Sequence, residues 1–227
     1  MEKIKELKNE LAFSDKACYK LIYRYNLHIS GYNFRIVKNC PEIRWKFPCQ
    51  ETIIVPDGSI IEERPITVEH WGAWKPGRDT EILKKAYEGE WKDDGRMQFY
   101  YIRDLCYHHK YEEAVELFRK HLYNVPWYTK FGAYYFYAES CFKTERYLKA
   151  VDLCKKAIKE RPIFSDFYCL LGNYYMGCKK YPEAKDCFEK ALGNEYPQST
   201  SEVFMIKDNY GSEPSSKLKE LEQLISK

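Results

Sequence analysis

Three things are scarce in this chain: an excess of charge of one sign, long apolar runs and paired cysteines. Its 37 lysines and arginines nearly match its 34 aspartates and glutamates, which leaves a formal charge of +3 in 227 residues. A nucleic-acid binder normally carries a clustered basic excess, so that class is not expected. No window approaches the roughly 18 consecutive apolar residues of a membrane span, and the opening MEKIKELKNELAF alternates charge with Ile and Leu where a secretory leader would be continuously apolar. The nine cysteines, at 18, 40, 49, 106, 141, 154, 169, 178 and 187, are odd in number and contain no C-x-x-C pair. That spacing argues against a zinc site or a disulfide framework, and reduced thiols acting as small hydrophobes point to a cytoplasmic compartment. Also absent are a G-x-S-x-G elbow, a Gly-rich phosphate loop and an H-E-x-x-H pair.

What is abundant is aromatic: 21 tyrosines and 12 phenylalanines require an architecture that packs rings. The second half of the chain supplies one. Tyr111, Tyr147 and Tyr181, and likewise Ala114, Ala150 and Ala184, recur at spacings of 36 and then 34 residues. Such a period is the mark of a helical-pair repeat. On the 34-residue tetratricopeptide frame, the last unit places Tyr168, Leu171, Gly172, Tyr175, Tyr181, Ala184, Phe188 and Ala191 at the large, small and aromatic positions. The middle unit places Tyr134, Tyr137, Ala138, Cys141, Tyr147, Ala150, Cys154, Ala157 and Pro162 in the same order. The first is looser, with Tyr101, Leu105, Tyr111, Ala114, Phe118 and Pro126. Small residues let paired helices approach and rings fill the gaps between pairs.

A stack of helix pairs leaves an apolar end. Pro214, Ser215 and Ser216 read as the start of a helix over 216–226 whose Leu218, Leu221, Leu224 and Ile225 close it. Residues 193–211, rich in Ser, Asn and Pro, read as a loop. In this geometry the first helix of each unit faces the inside of the curve. The inward positions are Arg96, Phe99, Arg103 and Tyr107, then Tyr135, Glu139, Phe142 and Lys143, then Asp166, Asn173 and Met176. Rings interleaved with charge suit an extended peptide or a helix, and equally suit packing on neighbouring helices or on the N-terminal module. His108 and His109 read as a solvated pair at a helix turn.

The first ninety residues have another period. A short helix with Ile4, Leu7 and Leu11 on one face precedes alternation at Tyr32, Phe34 and Ile36, at Ile43, Trp45 and Phe47, and at Ile66, Val68 and His70. Pro56, Asp57 and Gly58 read as a hairpin turn, and Asp79 or Thr80 caps a helix ending at Gly89. The expected fold is therefore α+β: a small mixed β/α module over 1–90, followed over 91–227 by an α-solenoid of three repeats with a capping helix.

The runs FRIVKNCPEIRWKFPCQETI and ITVEHWG, followed by the repeats, resemble the second half of bacterial and viral family-2 glycosyltransferases that carry tetratricopeptide repeats, over residues 1 to about 210. The resemblance implies that the first module is a partial GT-A-like fold. It implies an acceptor side made by Arg35, Trp45, Gln50 and Trp71, with Glu51 as the base that deprotonates the acceptor and His70 near a metal. Read as residues alone, Glu51 is equally an exposed strand-end carboxylate, and His70, on the face of Ile66 and Val68, a core histidine. Two features depart from the family. Its Asp-x-Asp motif, which holds Mn²⁺ or Mg²⁺ against a nucleotide sugar, is missing together with the nucleotide-binding region, and Asp93-Asp94 sits at the entry to the first repeat instead. Gln50 stands where the family has His, and an amide cannot take up a proton.

Two functions follow as expectations. One is the acceptor-side half of a glycosyltransferase, inactive until a separate donor-binding half, or self-association, supplies the metal and nucleotide-sugar site. The other is a scaffold without chemistry that binds a protein or peptide in its groove. The groove lacks the Lys and Asn set that clamps a C-terminal carboxylate in some repeat proteins, so recognition of chaperone tails is not expected.

Overall fold

The computed structural model describes residues 2–24, 30–49, 52–69, 79–196 and 205–225. Contacts divide the chain into two compact units, Met1–Lys75 and Pro76–Lys227.

In the first unit, α1 (Glu2–Ala12) carries Leu7 and Leu11 to buried positions, as their helical spacing dictates. They meet Tyr19, Leu21 and Ile36 in one small core, with Ile4 and Ile66 at its edge. The sheet beneath is built from β1 (Lys16–Arg24), β2 (Ser30–Val37) and β5 (Ile60–Glu69) in the order β2-β1-β5. β1 runs antiparallel to β2 and parallel to β5. A separate ribbon pairs β3 (Arg44–Lys46) with β4 (Thr52–Ile54). The alternation expected around Tyr32 to Ile36, around Trp45 and at Ile66 and Val68 falls in β2, β3 and β5.

One strand is not marked in the sequence and one expectation needs correction. β1, the central strand, carries no legible alternation: Cys18 and Tyr19 are consecutive and both buried, and the register to β2 steps from Ile36 to Phe34 between Tyr19 and Lys20, which leaves Arg35 of β2 as the extra residue. The turn at Pro56–Gly58 forms, with Ser59 N–H donating to Pro56 O at 3.1 Å and Gly58 at φ +78°. It does not make a hairpin. Among the described residues β4 pairs with β3 and β5 with β1, so the turn passes the chain between two sheets.

The second unit is helical. α2 (Thr80–Glu88) precedes the pairs α3 (Gly95–Tyr107) and α4 (Tyr111–His121), α5 (Lys130–Lys143) and α6 (Tyr147–Glu160), and α7 (Ser165–Gly177) and α8 (Tyr181–Leu192); α9 (Ser212–Ile225) ends it. The repeat is visible in the backbone. His109, Glu145 and Lys179 hold the same place in the three inter-helix turns, at φ +58°, +60° and +58°. Each sits where a Schellman turn needs a left-handed residue: the next N–H, of Lys110, Arg146 or Lys180, returns to a carbonyl five residues back, Leu105, Cys141 or Tyr175. Ala138, Ala150 and Ala184 are fully buried. Gly172 is tighter still, since a Cβ there would lie 2.6 Å from the Phe188 ring. Rings join successive pairs: Phe118 stacks on Tyr137 at 5.5 Å, Phe131 meets Phe164 edge-on at 4.9 Å, and Phe142 stacks on Tyr174 at 4.7 Å.

The ends differ in detail from expectation. Asp94 caps α3, its carboxylate accepting the N–H groups of Arg96 and Met97 at 3.0 Å. His108 is half-buried against Thr80 at 3.0 Å and is not a solvated residue, because α2 stacks on the first pair; His109 alone is exposed. α2 is further held by Tyr87, which stacks on Tyr101 at 4.8 Å and hydrogen-bonds His121 at 3.0 Å. α9 begins at Ser212, four residues before the expected start, with Pro214 in its first turn, where a missing N–H costs nothing. Leu221 enters the core of Cys169, Ala184, Phe188 and Ala191, whereas Leu224 and Ile225 are exposed. Among the described residues no helix is long and apolar enough to cross a membrane.

Candidate functional site

Of the residues the resemblance implicates in sugar transfer, Gln50, Glu51, His70 and Trp71 lie outside the described residues. Arg35 is in β2, and Trp45 in β3 is 64% exposed. The structure therefore brings no such site together among the residues it describes.

The solenoid offers a surface of another kind. α3 touches α5 and α5 touches α7, while the second helices of the pairs touch one another less. The closer-packed layer is the inside of a curved stack, so α3, α5 and α7 form the inner face.

At its α3 end lies a stripe of alternating cation and ring. Arg96, Tyr100, Arg103 and Tyr107 follow one another at helical spacings of four, three and four residues, which puts them on one side of α3. The Arg96 and Arg103 guanidinium carbons lie 4.9 and 4.5 Å from the Tyr100 centroid. Arg103 also lies 5.6 Å from Tyr107 and 5.9 Å from Phe99, and Arg96 lies 5.8 Å from Tyr128. Phe99 and Tyr100 are buried under this layer, and Tyr107, 38% exposed, stands at its rim edge-on to Phe136 at 5.5 Å. Each guanidinium over a ring contributes about 0.5 to 1 kcal/mol where water still reaches it.

α5 continues the surface. Tyr135 is half-buried against Phe136 and Phe167, at 5.7 and 6.2 Å, and its hydroxyl is held well above the usual tyrosine range by burial. Burial also raises the Glu139 carboxyl, against the pull of Lys143 and His109. Phe142 is half-buried, and Lys143 is exposed.

At the α7 end the chain fills its own groove. Asp166 is 2% exposed, and its carboxylate accepts from Ile206 N–H at 2.8 Å, Asn209 Nδ2 at 3.0 Å and Tyr210 Oη at 3.3 Å. Cys169 Sγ donates to Asn209 O at 3.5 Å. The segment is a 3-10 turn, Lys207–Tyr210, with Met205 and Asn209 buried. Burial pushes the Asp166 carboxyl up to about 6, opposed by these donors. Met176 turns to the core beside Phe188 and Leu221, and only Asn173 of the three expected residues on α7 is exposed.

The inward positions thus divide: Tyr107, Lys143 and Asn173 are exposed and Arg96, Arg103, Tyr135, Glu139 and Phe142 half-buried, whereas Phe99, Asp166 and Met176 serve packing. Sequence reasoning missed Tyr100, although its place between two arginines on one helical stripe was a usable signal. It also missed residues 205–210, whose partners lie some forty residues away and leave no local pattern.

Comparison with known proteins bears on this unit. The family model of the tetratricopeptide repeat matches residues 165–195, the pair α7 and α8. No curated protein matches the chain by sequence. Similar solved structures include the first tetratricopeptide domain of Spaghetti (RPAP3) bound to an HSP90 peptide, 17% identical over 59% of this chain and 94% of that one, with a TM-score of 0.45. MamA from residue 41 to its end, from Desulfovibrio magneticus RS-1, is 21% identical over 66% of this chain and 86% of that one, at 0.46. The Sgt2 domain from Aspergillus fumigatus is 16% identical over 59% and 82%, at 0.46.

Proposed function

We propose that the chain is a protein-interaction scaffold whose solenoid takes an extended peptide segment along α3 and α5. The observation that carries this reading is the stripe of alternating rings and cations on the inner face, Arg96 to Tyr107, continued by Tyr135 and Phe142. Rigid rings supply contact area at low entropic cost, and charged groups between them fix register. The repeat match at 165–195 supports the same reading.

Peptides selected from a random display library on the full chain test it. Selected peptides are expected to compete with one another and to weaken at least tenfold on Tyr107→Ala or Tyr135→Ala, with Leu148→Ala on exposed α6 surface as the indifferent control. Peptides unaffected by both ring substitutions would remove the groove from the function.

The glycosyltransferase-derived reading of residues 1–90 has the sequence resemblance as its only support, and the family match falls in the repeats. On that reading a donor-binding half, with Mn²⁺ or Mg²⁺ and a nucleotide sugar, has to be supplied by another chain, and Glu51 is the base. The scaffold is the better supported of the two.

A further inference from the structure

We infer that α2 is an acid-released cap on the first helix pair, held near each end by a histidine and let go when the two imidazoles take up protons. This device is independent of what the inner face binds. At the start of α2, His108 Nε2 lies 3.0 Å from Thr80 Oγ1, and near its end His121 Nε2 lies 3.0 Å from Tyr87 Oη. Between the two contacts Leu83 and Ala86 are buried, and the Tyr87 ring stacks on Tyr101 of α3 at 4.8 Å. A helix of nine residues is too short to persist alone in water, so α2 is helical because it is docked. Its release is therefore a local unfolding event, which uncovers the Tyr101 ring at the first end of the stack and costs less than unfolding the whole unit.

Both contacts change when a proton arrives. His121 is 7% exposed. As a neutral ring it can accept the proton of Tyr87, which the tyrosine holds firmly because burial and the carboxylates of Glu113 and Glu88 raise its hydroxyl above the usual range. A protonated ring brings a second proton to the same contact and a charge to a place with little water. Burial, with Lys120 beside it, accordingly holds the His121 imidazole below the usual histidine range, and Asp93 opposes that shift without cancelling it. Once α2 has left, His121 regains water and titrates near the ordinary value of about 6.5, so acidification below that value favours the released state. His108 acts differently. Its Nε2 also lies 3.7 Å from Asp104 Oδ2, a buried carboxylate oxygen with no hydrogen-bond partner. An imidazolium is drawn to that oxygen and away from the Thr80 hydroxyl, since a charge-assisted bond is about twice as strong as a neutral one. Asp104 stands one turn before His108 on α3, so this pair survives release while the bond to α2 does not. The titratable and charged groups around the two contacts are thus Tyr87 and Glu88 of α2, Asp93 in the connection, Tyr101 and Asp104 of α3, and Glu113 and Lys120 of α4.

Hydrogen exchange read by mass spectrometry on the full chain at pH 7.5 and pH 5, corrected for the intrinsic pH dependence of exchange, tests the inference. Protection over residues 80–88 is expected to fall at least tenfold at pH 5 while residues 181–192 of α8 keep theirs. His121→Gln, whose amide can still accept from Tyr87 but takes up no proton in this range, should remove most of the pH response, and His108→Gln a smaller part. Unchanged protection at 80–88 overturns the inference, and so does an equal loss at 181–192, which marks general acid unfolding. A response that persists in the His108→Gln, His121→Gln double variant belongs to another group and overturns it as well. A second measurement needs no variant: followed by proton NMR in the parent chain, the His121 ring is expected to titrate below free histidine and in step with the loss of protection at 80–88. Titration of that ring at the free value, or protection lost before the ring is protonated, overturns the clip.

Discussion

The two ends of the inner face use charge in opposite ways. α3 and α7 are equivalent helices of the first and third repeats, and the equivalent position near the start of each carries Arg96 in one and Asp166 in the other. Around Asp166 the chain has folded back its own residues 206–210, and three donors surround one buried carboxylate. Around Arg96 and Arg103 there are rings. One end is therefore part of the folding problem and is already solved, while the other holds its cations half-buried against ring faces. The difference shows that membership of a repeat fixes where a side chain points but not whether its chemistry is internal or available.

That contrast breaks most sharply at Asp166. Asp166→Ala leaves the Ile206 N–H, the Asn209 amide and the Tyr210 hydroxyl without their acceptor and is expected to cost about 2 to 4 kcal/mol. Urea unfolding followed by helical circular dichroism measures it, and an unchanged midpoint would mean that the 205–210 segment does not hold the end of the solenoid.

The pH dependence of the same group comes next. Its carboxyl is raised from 3.8 to about 6. A raised acid binds its proton more tightly in the folded state, so its contribution to stability is greatest below pH 4, falls as pH rises to about 6, and is constant above. Relative to Asp166→Asn, the parent chain is expected to gain on the order of 2 to 3 kcal/mol on acidification from pH 7 to pH 4. Paired urea titrations at the two pH values read the difference, and parallel curves would place this carboxyl in the ordinary range.

The helix crossing that supports the α7 end is next in size. Gly172→Ala pushes a methyl into the Phe188 ring and is expected to cost about 1 to 3 kcal/mol, recovered in part by Phe188→Leu in the double variant. Additive losses in the double variant would mean that the two residues do not share the strain.

The smallest effect belongs to the open end. Arg103→Met keeps the aliphatic stem over the rings and is expected to change stability by less than about 1 kcal/mol, because the ring contacts it loses are offset by a cation no longer desolvated. A larger loss would make Arg103 a structural residue like Asp166 and erase the contrast between the ends.

Much of the repeat half was legible because its constraints are local and recur. Tyr, Ala and Phe at fixed offsets identify helix pairs whatever lies elsewhere, and the left-handed residue at His109, Glu145 and Lys179 falls wherever that spacing closes a turn. The first unit was less legible. β2, β3 and β5 alternate enough to be seen, but β1 carries an extra residue at Ala17 where it pairs with β5, and its partners come from both sides and from far along the chain. A bulge destroys the period that a reader of sequence relies on, and the turn at Gly58 carries no mark of which strands it will separate.

By itself, then, the sequence determined the helical pairs and their number, since side-chain size at a fixed period selects how helices approach. Only the tertiary structure decided which positions on the first helices are covered. The fate of Asp166 depends on residues some forty positions later, and that of Arg103 on the rings that surround it. Hydrogen bonds and ion pairs between distant segments form only when the chain closes on itself, and they leave no periodic trace in the residues that make them.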